Sequence, residues 1–141
     1  MKQLILAFGL TIAAVPAWSN GAATSVVNQI RADQGLPKIS YSRKLEKAAQ
    51  RHLSDMVQND FRSHTGSNGS SVGKRVKRAG YRWCHVAENI AWGQRDLQSV
   101  MQGWVNSPGH YRNLTSRKAR EFALVKGGDN VWVMVLAAKR C

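Results

Sequence analysis

The spacing of apolar residues predicts several amphipathic helices. The segment "TSVVNQIRADQG" has three apolar residues on one stripe and a glycine where a helix would stop. A longer helix is predicted from Tyr41 to Asn59, where apolar residues recur at steps of three and four. A short helix is predicted over Val72–Ala79. Another is predicted to begin at Asp96 and to end at the Pro108-Gly109 pair.

The last part of the chain has the pattern of a β-hairpin. The runs "EFALV" and "NVWVMVLAA" flank "KGGD", whose glycines allow a turn. Residues 61–73 are rich in Gly, Ser and Asn and predict a loop, while "GYRWCHVAENIAWG" has mixed periodicity. We therefore expect three or four helices around a small antiparallel sheet, in one α+β domain.

The first nineteen residues have the three parts of a secretory signal peptide. Lys2 precedes an apolar run from Leu4 to Val15, and the small residues Ala17 and Ser19 precede a plausible cleavage point. We expect residues 1–19 to be removed and the mature protein to be secreted or periplasmic. The apolar run is too short for a stable transmembrane helix, and we expect no transmembrane segment after cleavage.

The mature chain is expected to be strongly basic. Removing residues 1–19 takes away only Lys2 among the charged residues, which leaves 20 basic and 8 acidic side chains, a net charge of +12. This balance favours anionic partners such as envelope polymers or acidic lipid head groups. The basic residues are scattered except for "KRVKR", and no nucleic-acid motif is present, so no dedicated nucleic-acid partner is expected.

The cysteines Cys84 and Cys141 both remain after removal of the signal peptide. An even cysteine count in an oxidising compartment indicates one structural disulfide that ties residue 141 back to the middle of the chain.

Three polar residues are the candidates for chemistry. His64 and His110 lie on glycine-flanked segments outside the predicted helices, and Glu88 is surrounded by apolar neighbours. A buried carboxylate needs a partner, which two histidines would supply, and such a group could also hold a divalent cation. His52 lies on the buried stripe of a helix and is interpreted as a hydrogen-bonded core histidine. Ser107 precedes His110 by three residues, without a nucleophile motif.

Seven segments together resemble a bacterial CAP domain, the superfamily of cysteine-rich secretory proteins, antigen 5 and pathogenesis-related 1 proteins (also called SCP-like). In chain order these are "NQIR", "LEKAAQRHLSDM", "SHTGSNGS", "RVKRAGY", "AENIAWG", "WVNSPGHYRN" and "EFALV". The resemblance implies one CAP domain over residues 24–141. Its fold would be an α-β-α sandwich with an antiparallel sheet between helices and a cleft on one side.

In this family the cleft is lined by two histidines and two acids, and some members hold a divalent metal there. The resemblance implies that His64, Glu88 and His110 occupy three of these positions. Ser107 stands where many relatives have an acid after the tryptophan, and Glu121 matches a glutamate that opens the following strand in bacterial relatives. The resemblance also implies a zinc-type site at His64 and His110, although no cofactor is required. The serine in place of an acid at position 107 would weaken metal binding, because one anionic ligand is lost.

Two functions fit these residues. The first is a secreted binding module whose cleft holds an envelope component, a small lipid or a divalent metal. The alternative is a metal- or His/Glu-dependent hydrolase of peptide or cell-wall bonds, with Glu88 and His110 as candidate catalytic residues. A structural polar network without activity is a third interpretation. The sequence leaves the oligomeric state open.

Overall fold

The structure is a computed structural model that describes residues 20–141, so the predicted signal peptide lies outside the described residues. This part of the chain forms five α-helices and four strands. They are α1 (Asn20–Ala32), β1 (Ser40–Tyr41), α2 (Arg43–Gln58), α3 (Val72–Arg78), β2 (His85–Trp92), α4 (Leu97–Val105), α5 (Pro108–Leu114), β3 (Glu121–Lys126) and β4 (Val131–Ala138).

The four strands form one mixed sheet with the order β1-β3-β4-β2. The predicted hairpin is present, because β3 pairs antiparallel with β4, and β2 pairs antiparallel with the other edge of β4. The expected small antiparallel sheet has one parallel addition at its edge, where Ser40 and Tyr41 of β1 run parallel to β3. A parallel pair needs a long crossover, and the chain between β1 and β3 supplies it.

The helices cover both faces of the sheet, which confirms the α-β-α sandwich. Along β4, Val131, Val133 and Val135 pack toward α2 and α3. The alternating residues Trp132 and Met134 pack toward α1, α4 and α5. Every residue of β4 is buried, as is typical of a strand enclosed on both faces.

The chain around Pro108 differs from the prediction. Helix α4 ends at Val105, and Pro108 begins a new helix, α5, instead of only ending the previous one. Proline is favoured in the first helical turn because its fixed φ suits the helix and its missing N–H needs no partner there. His110 therefore lies in the first turn of a helix and not on an irregular segment.

Side chains from α4 and α5 bond to the outer edge of β2. Asn113 of α5 donates from Nδ2 to the Glu88 carbonyl oxygen at 3.4 Å, and Trp104 of α4 donates from Nε1 to the Ile90 carbonyl oxygen at 3.4 Å. These bonds satisfy carbonyl groups that point away from β4, and they hold both helices against the strand.

A disulfide joins Cys84 to Cys141, as predicted, with 5.9 Å between their Cα atoms. It connects the start of β2 to the residues that follow β4. Within residues 20–141, no helix is both long and apolar enough to cross a membrane.

Replacing both cysteines by alanine should lower the free energy of unfolding by about 4 kcal/mol, because the disulfide closes a long loop in the unfolded chain. The two cysteines are 57 positions apart in the sequence. Urea unfolding of the oxidised protein and of the double variant measures this difference. Equal midpoints for the two proteins would contradict a stabilising role of the disulfide.

Candidate functional site

The carboxylate of Glu88 is the centre of a buried polar cluster. Glu88 lies in the middle of β2, and its side chain is 2% exposed. One carboxylate oxygen, Oε1, accepts a hydrogen bond from Nδ1 of His64 at 2.9 Å. The other, Oε2, accepts from Nη2 of Arg75 at 2.8 Å. A charge removed from water to this extent requires such partners.

Arg75 links this carboxylate to the loop that carries His64. Its Nη1 donates to the carbonyl oxygen of Ser70 at 2.6 Å, and its Nη2 also donates to that of His64 at 3.0 Å. Arg75 was not among the residues selected from the sequence, because it lies within the basic run "KRVKR". A signal was present, since Arg75 falls on the same helical stripe as the apolar residues Val72 and Val76.

His52 of α2 is the buried histidine next to this cluster. Its Nε2 donates to the carbonyl oxygen of Ser63 at 2.7 Å and lies 3.9 Å from Oε1 of Glu88. Burial lowers the pKa of His52, in spite of the opposing effect of Glu88. His52 is therefore a neutral core histidine at neutral pH, as the sequence indicated.

His64 lies at the boundary between the cluster and solvent. Its side chain is 61% exposed, yet its Nδ1 donates to the carboxylate of Glu88. This hydrogen bond raises the pKa of His64, against the opposing effect of partial burial. The bond fixes the ring orientation and leaves Nε2 as the nitrogen available to a ligand, because no residue in 20–141 bonds to it.

His110 is held by different partners. Its Nδ1 lies 2.9 Å from the Ser107 hydroxyl, and its carbonyl oxygen accepts from the Asn89 side chain at 3.1 Å. Partial burial lowers the pKa of His110, and the nearby His64 lowers it further. Nε2 again remains the nitrogen without a partner in the described chain.

The two histidines line the same cleft, which has a volume of about 250 Å³. A second groove of about 340 Å³ adjoins it and shares three of its lining residues, Ile90, Trp92 and His110. The side of the first cleft is completed by Arg62 and Ser63. Trp92 is 57% exposed where the two grooves meet, so together they form one extended depression.

The structure brings together only some of the residues selected from the sequence. His64 bonds directly to Glu88, while His110 lines the same cleft without bonding to that carboxylate. Ser107 reaches the cleft through its bond to His110. Glu121 does not join the group. It accepts from the Tyr81 hydroxyl at 2.6 Å and pairs with Lys139 at 3.3 Å, on a strand separated from β2 by β4.

The donors in this cleft are few for a resident metal ion. Among residues 20–141, no group of three or more His, Cys, Asp or Glu side chains is arranged to hold one. Two imidazole nitrogens face the cleft, whereas both oxygens of Glu88 are already bonded to His64 and Arg75. Protein zinc sites use three or four ligands, so the residues present do not fit a resident zinc ion.

The chain belongs to the CAP family, the cysteine-rich secretory protein family, whose model matches residues 24–136. Two curated relatives come from Bacillus subtilis: the uncharacterized membrane protein YlbC and the uncharacterized protein YkwD. Each is 30% identical over 89 residues, or 63% of this chain. The match covers 26% of YlbC and 35% of YkwD, so this chain corresponds to about a quarter to a third of these relatives.

Solved structures show the same fold. An extracellular protein with an SCP domain from Bacillus anthracis aligns at a TM-score of 0.78 with 27% identity, over 82% of this chain and 39% of that one. An outer surface protein from Borrelia burgdorferi aligns at 0.76 with 22% identity, over 85% and 92% of the two chains. A cysteine-rich secretory protein from Staphylococcus aureus aligns at 0.69 with 17% identity, over 81% and 36%.

Replacing Glu88 by Gln should destabilise the protein by about 3 kcal/mol, because Arg75 would remain buried without an opposite charge. The same variant should lower the pKa of His64 toward its ordinary value, because the carboxylate that raises it is gone. Urea unfolding measures the first effect and NMR titration of the imidazole the second.

Asp60→Asn is the control, since it removes an exposed carboxylate outside the cluster. An unchanged His64 pKa in the Glu88→Gln variant would contradict the role given to the hydrogen bond.

Proposed function

We propose that the protein is an exported binding domain whose cleft holds an anionic component of the cell envelope. The observation that carries this proposal is the pairing of two anchored imidazoles with an exposed tryptophan along one depression. His64 and His110 are each fixed at Nδ1, so each directs only Nε2 to a ligand. A pre-oriented polar group beside an aromatic surface is typical of binding sites.

The charges in the cleft favour an anion. The raised pKa of His64 extends its cationic form toward higher pH. Arg62 also lines the cleft, where its guanidinium lies 3.6 Å from the carboxylate of Asp129. The flat ring of Trp92 suits the apolar face of a sugar or an alkyl chain. A carboxylate-bearing cell-wall saccharide peptide has both features, and we take it as the ligand class.

Four further observations support export and an envelope partner. The N-terminal sequence has the pattern of a signal peptide, and the mature charge of +12 favours anionic surfaces. The similar structures include an extracellular protein and an outer surface protein. The Cys84–Cys141 disulfide suits an oxidising compartment.

A small lipid would use a different part of the fold. An apolar groove of about 440 Å³ lies between α1 and α4, lined mainly by Val26, Ile30, Leu97, Met101 and Val105. This groove lies on the opposite face of the sheet from the Glu88 cluster. The small-lipid alternative therefore predicts binding that does not depend on the cleft.

Replacing Trp92 by Ala should weaken binding of soluble peptidoglycan fragments about tenfold, because the loss of the ring removes the apolar contact at the centre of the depression. The double variant His64→Ala/His110→Ala should weaken it further. Isothermal titration calorimetry measures both effects, and zinc and phosphatidylglycerol vesicles are titrated alongside as alternative ligands.

Trp83→Ala is the matched control, because Trp83 is also an exposed tryptophan but does not line the cleft. Its ring packs over Gly73 instead. Equal affinities for all these variants, with thermal melts showing that each is folded, would contradict binding in the cleft.

A hydrolase is the second candidate, and the opposite pKa shifts of the two histidines favour it. His110 has a lowered pKa and is the natural base, while His64 has a raised pKa and is the natural acid. Nε2 of neutral His110 would take a proton from water as the oxygen attacks a peptide carbonyl. Nε2–H of His64 would then protonate the leaving amine.

Hydrolysis by this pair should have a bell-shaped dependence on pH. The rate should rise with pH as His110 loses its proton, below the ordinary histidine pKa, and fall as His64 loses its own, above that value. Release of amines from peptidoglycan is the measurement, and His110→Gln should abolish it. Full turnover in His110→Gln, or no turnover by the native protein, would contradict this candidate.

A further inference from the structure

A separate pocket, not described above, lies on the side of the Glu88 cluster away from the cleft. It is enclosed by α2, α3 and the loop that joins them. It has a volume of about 170 Å³, and three of its lining residues are the arginines Arg51, Arg75 and Arg78. The remaining lining residues are His52, Asp55, Ser67, Asn68 and Ser70. None of the residues that line the cleft is among them.

The arginines of this pocket have unused hydrogen-bond donors. The side chains of Arg51 and Arg78 make no hydrogen bond or ion pair to any residue in 20–141. Arg75 is 7% exposed and uses Nη1 and Nη2 in its bonds to the cluster, which leaves its Nε–H without a partner in the same part of the chain. Guanidinium groups are well suited to binding oxyanions through paired N–H donors.

The single acid in the pocket is largely occupied by its own neighbours. Asp55 accepts from the backbone N–H of Ser67 at 2.8 Å, from the Ser67 hydroxyl, and from the side chain of Asn59 at 2.9 Å. Burial opposes ionisation of Asp55, but these hydrogen bonds outweigh it and lower its pKa. Glu88 already neutralises Arg75, and Asp55 offsets one more guanidinium, so Arg51 and Arg78 leave an excess of one positive charge at the pocket.

The volume of the pocket limits the ligand to a small group. About 170 Å³ is the space of only a few water molecules and is less than drug-sized ligands use. A phosphate group is small and anionic, so it fits the volume and is attracted by the positive charge of Arg51 and Arg78. The hydroxyl of Ser70 and the amide of Asn68 can add neutral donors.

From these observations we propose that Arg51, Arg75 and Arg78 form a phosphate-binding site, separate from the cleft. The phosphate is either free or the terminal group of a small phosphomonoester. Arg75 is the member that also bonds to Glu88, so the site borders the cluster that supports the cleft. The rest of an esterified ligand would extend over the exposed basic surface of α2 and α3, where Lys47 and Lys77 lie.

NMR titration of the oxidised protein with inorganic phosphate, at constant ionic strength, tests the proposal. We expect saturable shifts of the amides around Ser67–Arg78 and Arg51. The double variant Arg51→Ala/Arg78→Ala should bind phosphate at least about tenfold more weakly, because it loses two charged donors. The matched variant Lys47→Ala/Lys77→Ala removes the same charge from the same two helices outside the pocket and should change affinity less than about twofold.

Glycerol 3-phosphate, titrated in the same way, distinguishes the two sources. Tighter binding than inorganic phosphate indicates the esterified form, and weaker binding indicates the free ion. Asp55→Asn should strengthen binding several-fold by removing the one negative charge, while Asp60→Asn should not.

Three outcomes would overturn the proposal: non-saturating shifts, equal weakening by the two double variants, or shifts mapped to the cleft. Trp92→Ala should leave phosphate binding unchanged, so failure of the cleft proposal and failure of this one are distinguishable.

Discussion

The ion pair between Glu88 and Arg75 is the interaction on which the site depends. A carboxylate in the middle of a strand between two hydrophobic layers is stable as an ion only if a cation is fixed beside it. Arg75 supplies that cation from α3 and also bonds to two carbonyl groups of the loop after α2. The same contact therefore compensates the buried charge, orders the loop, and holds His64 at the entrance of the cleft. The cleft and the arginine-lined pocket are two openings onto this one cluster.

The two histidines of the cleft differ because their supports differ. His64 bonds to a carboxylate, which favours the imidazolium form, whereas His110 is partly buried and lies near another imidazole, and both effects disfavour it. One cleft thus contains a cationic donor and a neutral acceptor at the same pH. The cationic donor suits recognition of an anion, and the two imidazoles together meet the minimum requirement for acid–base chemistry.

Much of the fold could be predicted because α2 and the β3–β4 hairpin have clear periodicity. The parallel β1 strand is only two residues long and leaves no pattern, and α5 was missed because Pro108 both follows one helix and begins another.

For the site, the need of Glu88 for partners was evident from its apolar neighbours. The identity of Arg75 was missed, because the signal for its burial is only its place on the same helical stripe as Val72 and Val76, within a run of basic residues. Glu121 was selected because its position on β3 matches a glutamate of bacterial relatives. Its side chain nevertheless bonds outside the Glu88 cluster, because a position along a strand does not determine which cavity the side chain reaches.

The bonds from Asn113 and Trp104 to the edge of β2 have a consequence for self-association. An edge strand with unpaired carbonyl groups can act as a template for a strand from another molecule, and this is a common route to aggregation. Here helices occupy that edge, and the opposite edge is the two-residue β1, which offers little length for pairing. The β2 margin of the sheet is thus protected from growth by strand addition, while β1 covers only the first two residues of β3. Copies of this protein that meet at high concentration would repel each other at the surfaces of α2 and α3, which carry an excess of basic residues, whereas α4 has no charged residue.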